Sequence, residues 1–194
     1  MTRDEILDLF RRCSALLEGH FRLSSGLHSP GYLQCALVLQ HPEHAATLGM
    51  AIAAGVVALK PTVVLSPALG GVVIGHEVAR ALGVRALFAE RENAILTLRR
   101  GFRLSGSERV LIVEDVLTTG GSTKETIEVA RAEGATVLAA TAIINRSGGR
   151  ASLDVPFHAL VELSLPTYQP DRCPLCEQGV PLTKPGSRPA PAGR

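Results

Sequence analysis

Residues 110–123, VLIVEDVLTTGGST, decide how this chain folds. Val110, Leu111, Ile112 and Val113 form an unbroken apolar run in which three residues are β-branched, the pattern of a strand buried on both faces. Two adjacent carboxylates follow, Glu114 and Asp115, and then the small-residue run Thr118, Thr119, Gly120, Gly121. Ser122 with Glu125 three residues on predicts an N-cap and a capping box, so a helix is expected from Ser122 to Glu133. A strand, a turn without bulk and a helix N-terminus form a place for a phosphate. Unpaired N–H groups and the positive end of the helix dipole converge there, and the hydroxyls of Thr118, Thr119, Ser122 and Thr123 add donors.

The same alternation extends to both sides. Strands are expected at residues 62–65, 84–89, 136–144 and 157–163, and helices at 42–59 and 72–82. Two shorter strands, 95–98 and 101–104, surround Arg99 and Arg100 as an excursion from the sheet. Repeated strand–helix units predict an α/β fold with a central, mostly parallel sheet flanked by helices. Ahead of it, residues 2–17 read as an amphipathic helix with a Thr2/Glu5 capping box and Gly19 as its end. Residues 20–35 read as a hairpin-like pair of short strands. The tail from Pro185 is rich in Pro, Gly, Ala and Arg and is expected to be disordered.

Hydrophobic residues make up 46% of the 194 and charged residues 20%, the balance of a globular domain, and the expectation is one domain over residues 1–184. A net charge of +2 gives no electrostatic reason to expect a nucleic-acid partner. The longest apolar stretches, such as residues 51–59, are too short and too rich in Ala and Gly to span a bilayer. No charged-then-apolar leader opens the sequence, so a cytoplasmic protein without a membrane partner is expected. Of four cysteines, Cys13 and Cys35 sit among apolar residues as buried thiols. Cys173 and Cys176 have the CxxC spacing of half a zinc site, with no second pair in the chain. They read most simply as a structural or incidental pair, a metal shared across a dimer being the alternative, and no metal-ligating residue is assigned.

The chemistry follows from the acidic pair. The loop lacks the lysine of a Walker A motif, and two carboxylates would repel a bare phosphate. They suit a ligand that offers hydroxyls, such as a ribose, with Mg²⁺ nearby. Residues 114–121, EDVLTTGG, resemble the phosphoribosyl-pyrophosphate (PRPP) loop of type I phosphoribosyltransferases. In an open parallel sheet ligands bind beyond the carboxyl ends of the strands, which adds two loops. Residues 66–71, SPALGG, are either a tight turn or a contact for a diphosphate. Residues 145–149, NRSGG, bring a guanidinium, Arg146, to a strand end, where it is either a surface charge or, favoured by its place beside the other two loops, a contact for an anion.

With FRLSSGLHSPGY, FAER and the CPLC tail, these motifs make nearly the whole chain similar to bacterial orotate phosphoribosyltransferases. That resemblance implies the type I fold with a small N-terminal hood over residues 1–40. It implies Mg²⁺-dependent transfer of ribose 5-phosphate from PRPP to orotate, giving orotidine 5′-phosphate and pyrophosphate in pyrimidine synthesis, by a homodimer. Position by position it implies PRPP binding by Glu114, Asp115, Val116, Leu117, Thr118, Thr119, Gly120, Gly121 and Ser122. The resemblance further implies that Glu114 and Asp115 are the catalytic pair and that Thr118 and Arg146 contact orotate. The chain departs from the pattern where many members carry a lysine, at Ser24 and Gly70. It departs again at residues 90–100, which hold no lysine or histidine of the usual mobile loop, leaving Arg91, Arg99 and Arg100 as candidates for pyrophosphate. A phosphoribosyltransferase acting on a purine or uracil, or a PRPP-sensing regulator, are the rival readings.

Overall fold

A computed structural model of the chain describes residues 1–23 and 25–185, so the expected tail disorder falls, Pro185 apart, outside the described residues, as does Ser24. Helix α1 (Arg3–Arg12) opens with the predicted capping box: Thr2 Oγ1 accepts from Glu5 N–H, and Glu5 accepts from Thr2 N–H. It ends well before the expected residue 17. Ser14, at φ 52°, turns the chain, and Leu16 and Leu17 begin strand β1 (Leu16–Arg22) instead. Apolar residues at 16 and 17 suit either element, and the turn at Ser14 decides between them. β1 pairs antiparallel with β2 (His28–Leu33), a two-stranded hood. Between Glu18 and Phe21 the register slips by one residue, a β-bulge. A short helix α2 (Ala36–Leu39), too brief to leave a periodicity, leads into α3 (Pro42–Val56), and a 3-10 turn follows.

The main sheet has six strands in the order β5 (Ile95–Leu98), β4 (Arg85–Glu92), β3 (Val63–Pro67), β6 (Arg109–Leu117), β7 (Thr136–Asn145), β8 (Phe157–Glu162). All pairings are parallel except the edge pair β4–β5. The fold class is thus the expected one. The predicted strand at 101–104 is absent; those residues follow a turn at Arg100 and Gly101, both at positive φ. Helices α4 (Gly70–Leu82) and α5 (Gly121–Ala132) complete the layers, and the short α6 (Pro174–Glu177) lies in the tail.

The run at 110–113 explains the layering. Leu111 and Val113 pack with Phe10, Leu48, Ile52 and Ile74 of α1, α3 and α4. Val110 and Ile112 face the other way, onto Ile127 and Ala130 of α5. All four side chains of the run 110–113 are fully buried, which is why the sequence shows no alternation there. Residues 42–59 form one helical stretch of 18 residues with mean hydropathy 1.3, long and apolar enough to cross a membrane by those two measures alone. Here it packs on α4, burying Leu48, Ile52 and Val56 in the core. The two helices approach backbone to backbone at Gly49, where a Cβ would stand 2.8 Å from the carbonyl carbon of Glu77.

Candidate functional site

Strand β6 runs past the acidic pair to Leu117, so Glu114 and Asp115 belong to the sheet rather than to a loop. Neither acid is a freely solvated strand end: Glu114 is 5% exposed and Asp115 is half-buried. Ser122 is also reassigned. The N-cap of α5 is Gly120, held at φ 81°, a left-handed conformation that glycine adopts without strain, and no side chain caps the helix. Ser122 sits in the first turn, and its hydroxyl donates to Oε2 of Glu114 at 2.9 Å, tying the strand end to the helix start. Its pairing with Glu125 gives way to this bond, and Glu125 instead meets Arg91 at 2.8 Å.

The electrostatics of the pair follow from its burial. Desolvation and the adjacent Asp115 carboxyl push the Glu114 carboxyl up to about 8, against the smaller opposing effect of the Ser122 hydroxyl. Desolvation also raises Asp115, opposed by the Val116 N–H that its Oδ1 accepts at 2.9 Å. Below them, burial pushes the Cys35 thiol well up, with the negative charges of Asp115 and Glu114 adding to the shift. This thiol was expected to be buried and is; that it lies against the acidic pair had no sequence signal, because α2 is remote along the chain.

The remaining assignments divide by direction. Thr118 and Thr119 are exposed at the mouth of the loop, while Leu117 is buried and Val116 packs on the core, so these two offer a ligand only their backbone. The N–H groups of Gly121, Ser122 and Thr123 open α5 without helical acceptors. Thr123, in the first turn of the helix, is buried with its hydroxyl unpartnered. The turn after β3 reaches the pair directly. A Cβ on Gly70 would lie 2.7 Å from Asp115 Oδ1, so the absence of a side chain is what lets this turn close on the acid.

Arg146 follows β7, and its N–H donates to the Leu117 carbonyl at 2.7 Å, which sets it beside the end of β6. Asn145 fixes the turn: its Oδ1 accepts from Ser147 N–H at 3.0 Å and its amide donates to Glu162 at 3.1 Å. The guanidinium is half-buried near Tyr32 and Cys35, and burial lowers its pKa from the usual value. Its Nε is buried without a partner, and among the described residues Arg146 forms no ion pair. The three hairpin arginines differ in this respect. Arg91, Arg99 and Arg100 pair with Glu125, Glu92 and Glu90 at 2.8, 3.5 and 2.6 Å.

A cleft of about 440 Å³ lies elsewhere, between α1 and the hood, lined by Leu7, Arg11, Leu16 and Pro30 among others. None of the three strand-end loops lines it, so its size carries no functional weight. The CxxC pair, read as structural or incidental, has neighbours that the sequence did not place beside it. His20 of β1 and His28 of β2 stand against Cys173 and Cys176 within the same chain.

Comparison with known proteins bears on the family and the fold. The phosphoribosyl transferase domain matches residues 39–164. The chain is 53% identical over 188 residues to the orotate phosphoribosyltransferase of Pelotomaculum thermopropionicum, covering 97% of this chain and 99% of that one. It is 49% identical over 183 residues to the orotate phosphoribosyltransferase of Thermotoga maritima, covering 94% and 98%. Among solved structures, the orotate phosphoribosyltransferase of Aeropyrum pernix superposes with a TM-score of 0.66 at 27% identity, over 81% of this chain and 93% of that one. With βα units, an acidic pair at the end of the central strand and relatives matched from end to end, the chain belongs to the phosphoribosyl transferase family, among its orotate phosphoribosyltransferases.

Proposed function

We propose that the protein, as one domain over residues 1–184, transfers ribose 5-phosphate from PRPP to N1 of orotate, releasing pyrophosphate and making the nucleotide for pyrimidine synthesis. The observation that carries the choice of base is Arg146, a half-buried guanidinium with an unpartnered Nε at a strand end adjoining the acidic pair. Orotate differs from uracil by a carboxylate, which a guanidinium clasps through paired hydrogen bonds. Thr118, exposed at the loop mouth, adds a neutral hydrogen bond to the same base.

The 5-phosphate rests on the N–H groups that open α5 and on the hydroxyls of Thr119 and Thr123. Glu114 and Asp115 accept from the ribose hydroxyls. As the bond from C1 to pyrophosphate breaks, positive charge grows on the ring, and buried carboxylates beside it stabilise that charge more than they stabilise the neutral sugar. Two desolvated carboxyls side by side, both raised in pKa, also form an oxygen-rich setting that suits a hard cation. Glu114 and Asp115 would hold Mg²⁺ bound together with PRPP, and the chemistry it would supply there is neutralisation of the departing diphosphate. A phosphorylated sugar does not cross membranes, which supports a cytoplasmic location.

The test is turnover of PRPP and Mg²⁺ with orotate, uracil and purine bases, repeated on Arg146→Ala with a direct PRPP titration. Wild type should use orotate. The variant should lose kcat/KM for orotate by about 2–5 kcal/mol, the cost of removing one partner of a partly buried charged pair, with PRPP affinity little changed. A preference for uracil or a purine, or equal losses toward PRPP and orotate, would make the base assignment wrong.

A further inference from the structure

We propose that His20, His28, Cys173 and Cys176 are the four ligands of a structural zinc ion that fastens the tail of the chain to the hood. The ligand atoms lie within 4.8 Å of one another. His20 Nε2 is 3.0 Å from His28 Nδ1, 3.4 Å from Cys173 Sγ and 3.7 Å from Cys176 Sγ, and Cys176 Sγ is 3.4 Å from His28 Nδ1. Tetrahedral zinc with Zn–N of about 2.0–2.1 Å and Zn–S of about 2.3 Å separates its ligand atoms by roughly 3.3–3.8 Å, so the four atoms already stand close to the corners of such a site.

The backbone is arranged to hold them there. The bulge between Glu18 and Phe21 re-aims the strand around His20, and β1–β2 pairing brings His28 alongside. The CxxC spacing across the first turn of α6 brings both sulfurs to one side. The tail is pinned on either flank, by Tyr168 bridging to His28 and Thr183 bridging to Phe21. The tautomer of His20 is set as well. Its Nδ1 lies 2.8 Å from the Val180 carbonyl, which only accepts, so the proton sits on Nδ1 and the lone pair of Nε2 is directed at the two sulfurs and His28. Three of the four residues are buried, at 3%, 5% and 1% exposure for His20, His28 and Cys173.

Two thiolates and two imidazoles form a soft set that selects zinc over magnesium, and four protein ligands leave no open position for chemistry. Two thiolates also balance the charge of a divalent ion. The site uses different elements and different donor atoms from the acidic pair, so it stands whether or not the reading of the base is right.

Metal analysis of the untagged full-length protein, purified without chelator, should find about one zinc per chain. After removal by a chelator under reducing conditions, Co²⁺ should restore a visible spectrum with thiolate charge-transfer bands. Cys173→Ser/Cys176→Ser should reduce bound zinc at least about tenfold and remove the cobalt bands. Should that variant fail to fold, His28→Asn and the cobalt titration of wild type decide instead. Zinc should raise the thermal midpoint of the stripped wild type and leave that of the double variant unmoved. Wild type that takes up neither zinc nor cobalt, variants that bind as much zinc as wild type, or a Cys173–Cys176 disulfide in the metal-free purified protein would each overturn the proposal.

Discussion

Glu114 concentrates the physics of the candidate site. A carboxyl whose pKa is higher folded than unfolded binds its proton more tightly in the native state, so its ionisation removes stability as pH rises. For Glu114 the window runs from the ordinary 4.5 to about 8. The thermal midpoint of the ligand-free protein should therefore fall across that window, and Glu114→Gln should flatten the decline. An equal slope in the variant would mean that the carboxyl is not the group being charged. Glu114→Gln with Asp115→Asn should fold, since the amides remove the repulsion, yet turnover should drop by roughly tenfold to a thousandfold. Near-normal turnover in a folded protein would end the catalytic assignment. The acids, the threonines and Arg146 were legible because the chain writes them as short motifs. The burial of the acids and of Arg146 was not, because it involves Cys35, Tyr32 and Gly70, brought in from elements far apart in sequence.

At the scale of elements, patterns lasting two turns or more were readable, and their ends only in part. The α1 capping box is there as read, whereas the one expected at Ser122 is displaced because Glu114 holds the serine hydroxyl, a tertiary contact that outweighs a local preference. The extra strand at 101–104 failed for a similar reason: positive φ at Arg100 and Gly101 turns the chain away from the sheet edge. Two glycines of α3 separate packing from propensity. Gly55 has open space around its missing Cβ, so Gly55→Ala should stabilise by up to about 1 kcal/mol. Gly49 faces the Glu77 backbone, and Gly49→Ala should instead destabilise by about 1–3 kcal/mol as α3 and α4 are forced apart. Urea unfolding of both variants checks this, and a stabilised Gly49→Ala would mean that the helices part at little cost.

For the whole molecule, a homodimer that shares residues between sites is the remaining proposal, motivated by the family resemblance and by the β4–β5 hairpin with Arg91, Arg99 and Arg100. The arginines pair within their own chain, so joining a neighbour's pyrophosphate would require exchanging Glu92 and Glu90 for the ligand. Mixing Arg99→Ala/Arg100→Ala protein with Asp115→Asn protein should restore part of the activity that each lacks. No recovery despite demonstrated subunit exchange, or a monomer in sedimentation, would count against shared sites. The tail has a different consequence, one of timing. The hood is completed by partners far along the chain: Val180 meets His20 across 160 residues and Cys173 meets it across 153. On a ribosome adding about 5–20 residues per second, β1 and β2 emerge and then wait roughly eight to thirty seconds for the segment that closes over them. Through that interval two histidines and the hood's pairing edge stand open, so a part of the protein made before the sheet is finished only after it.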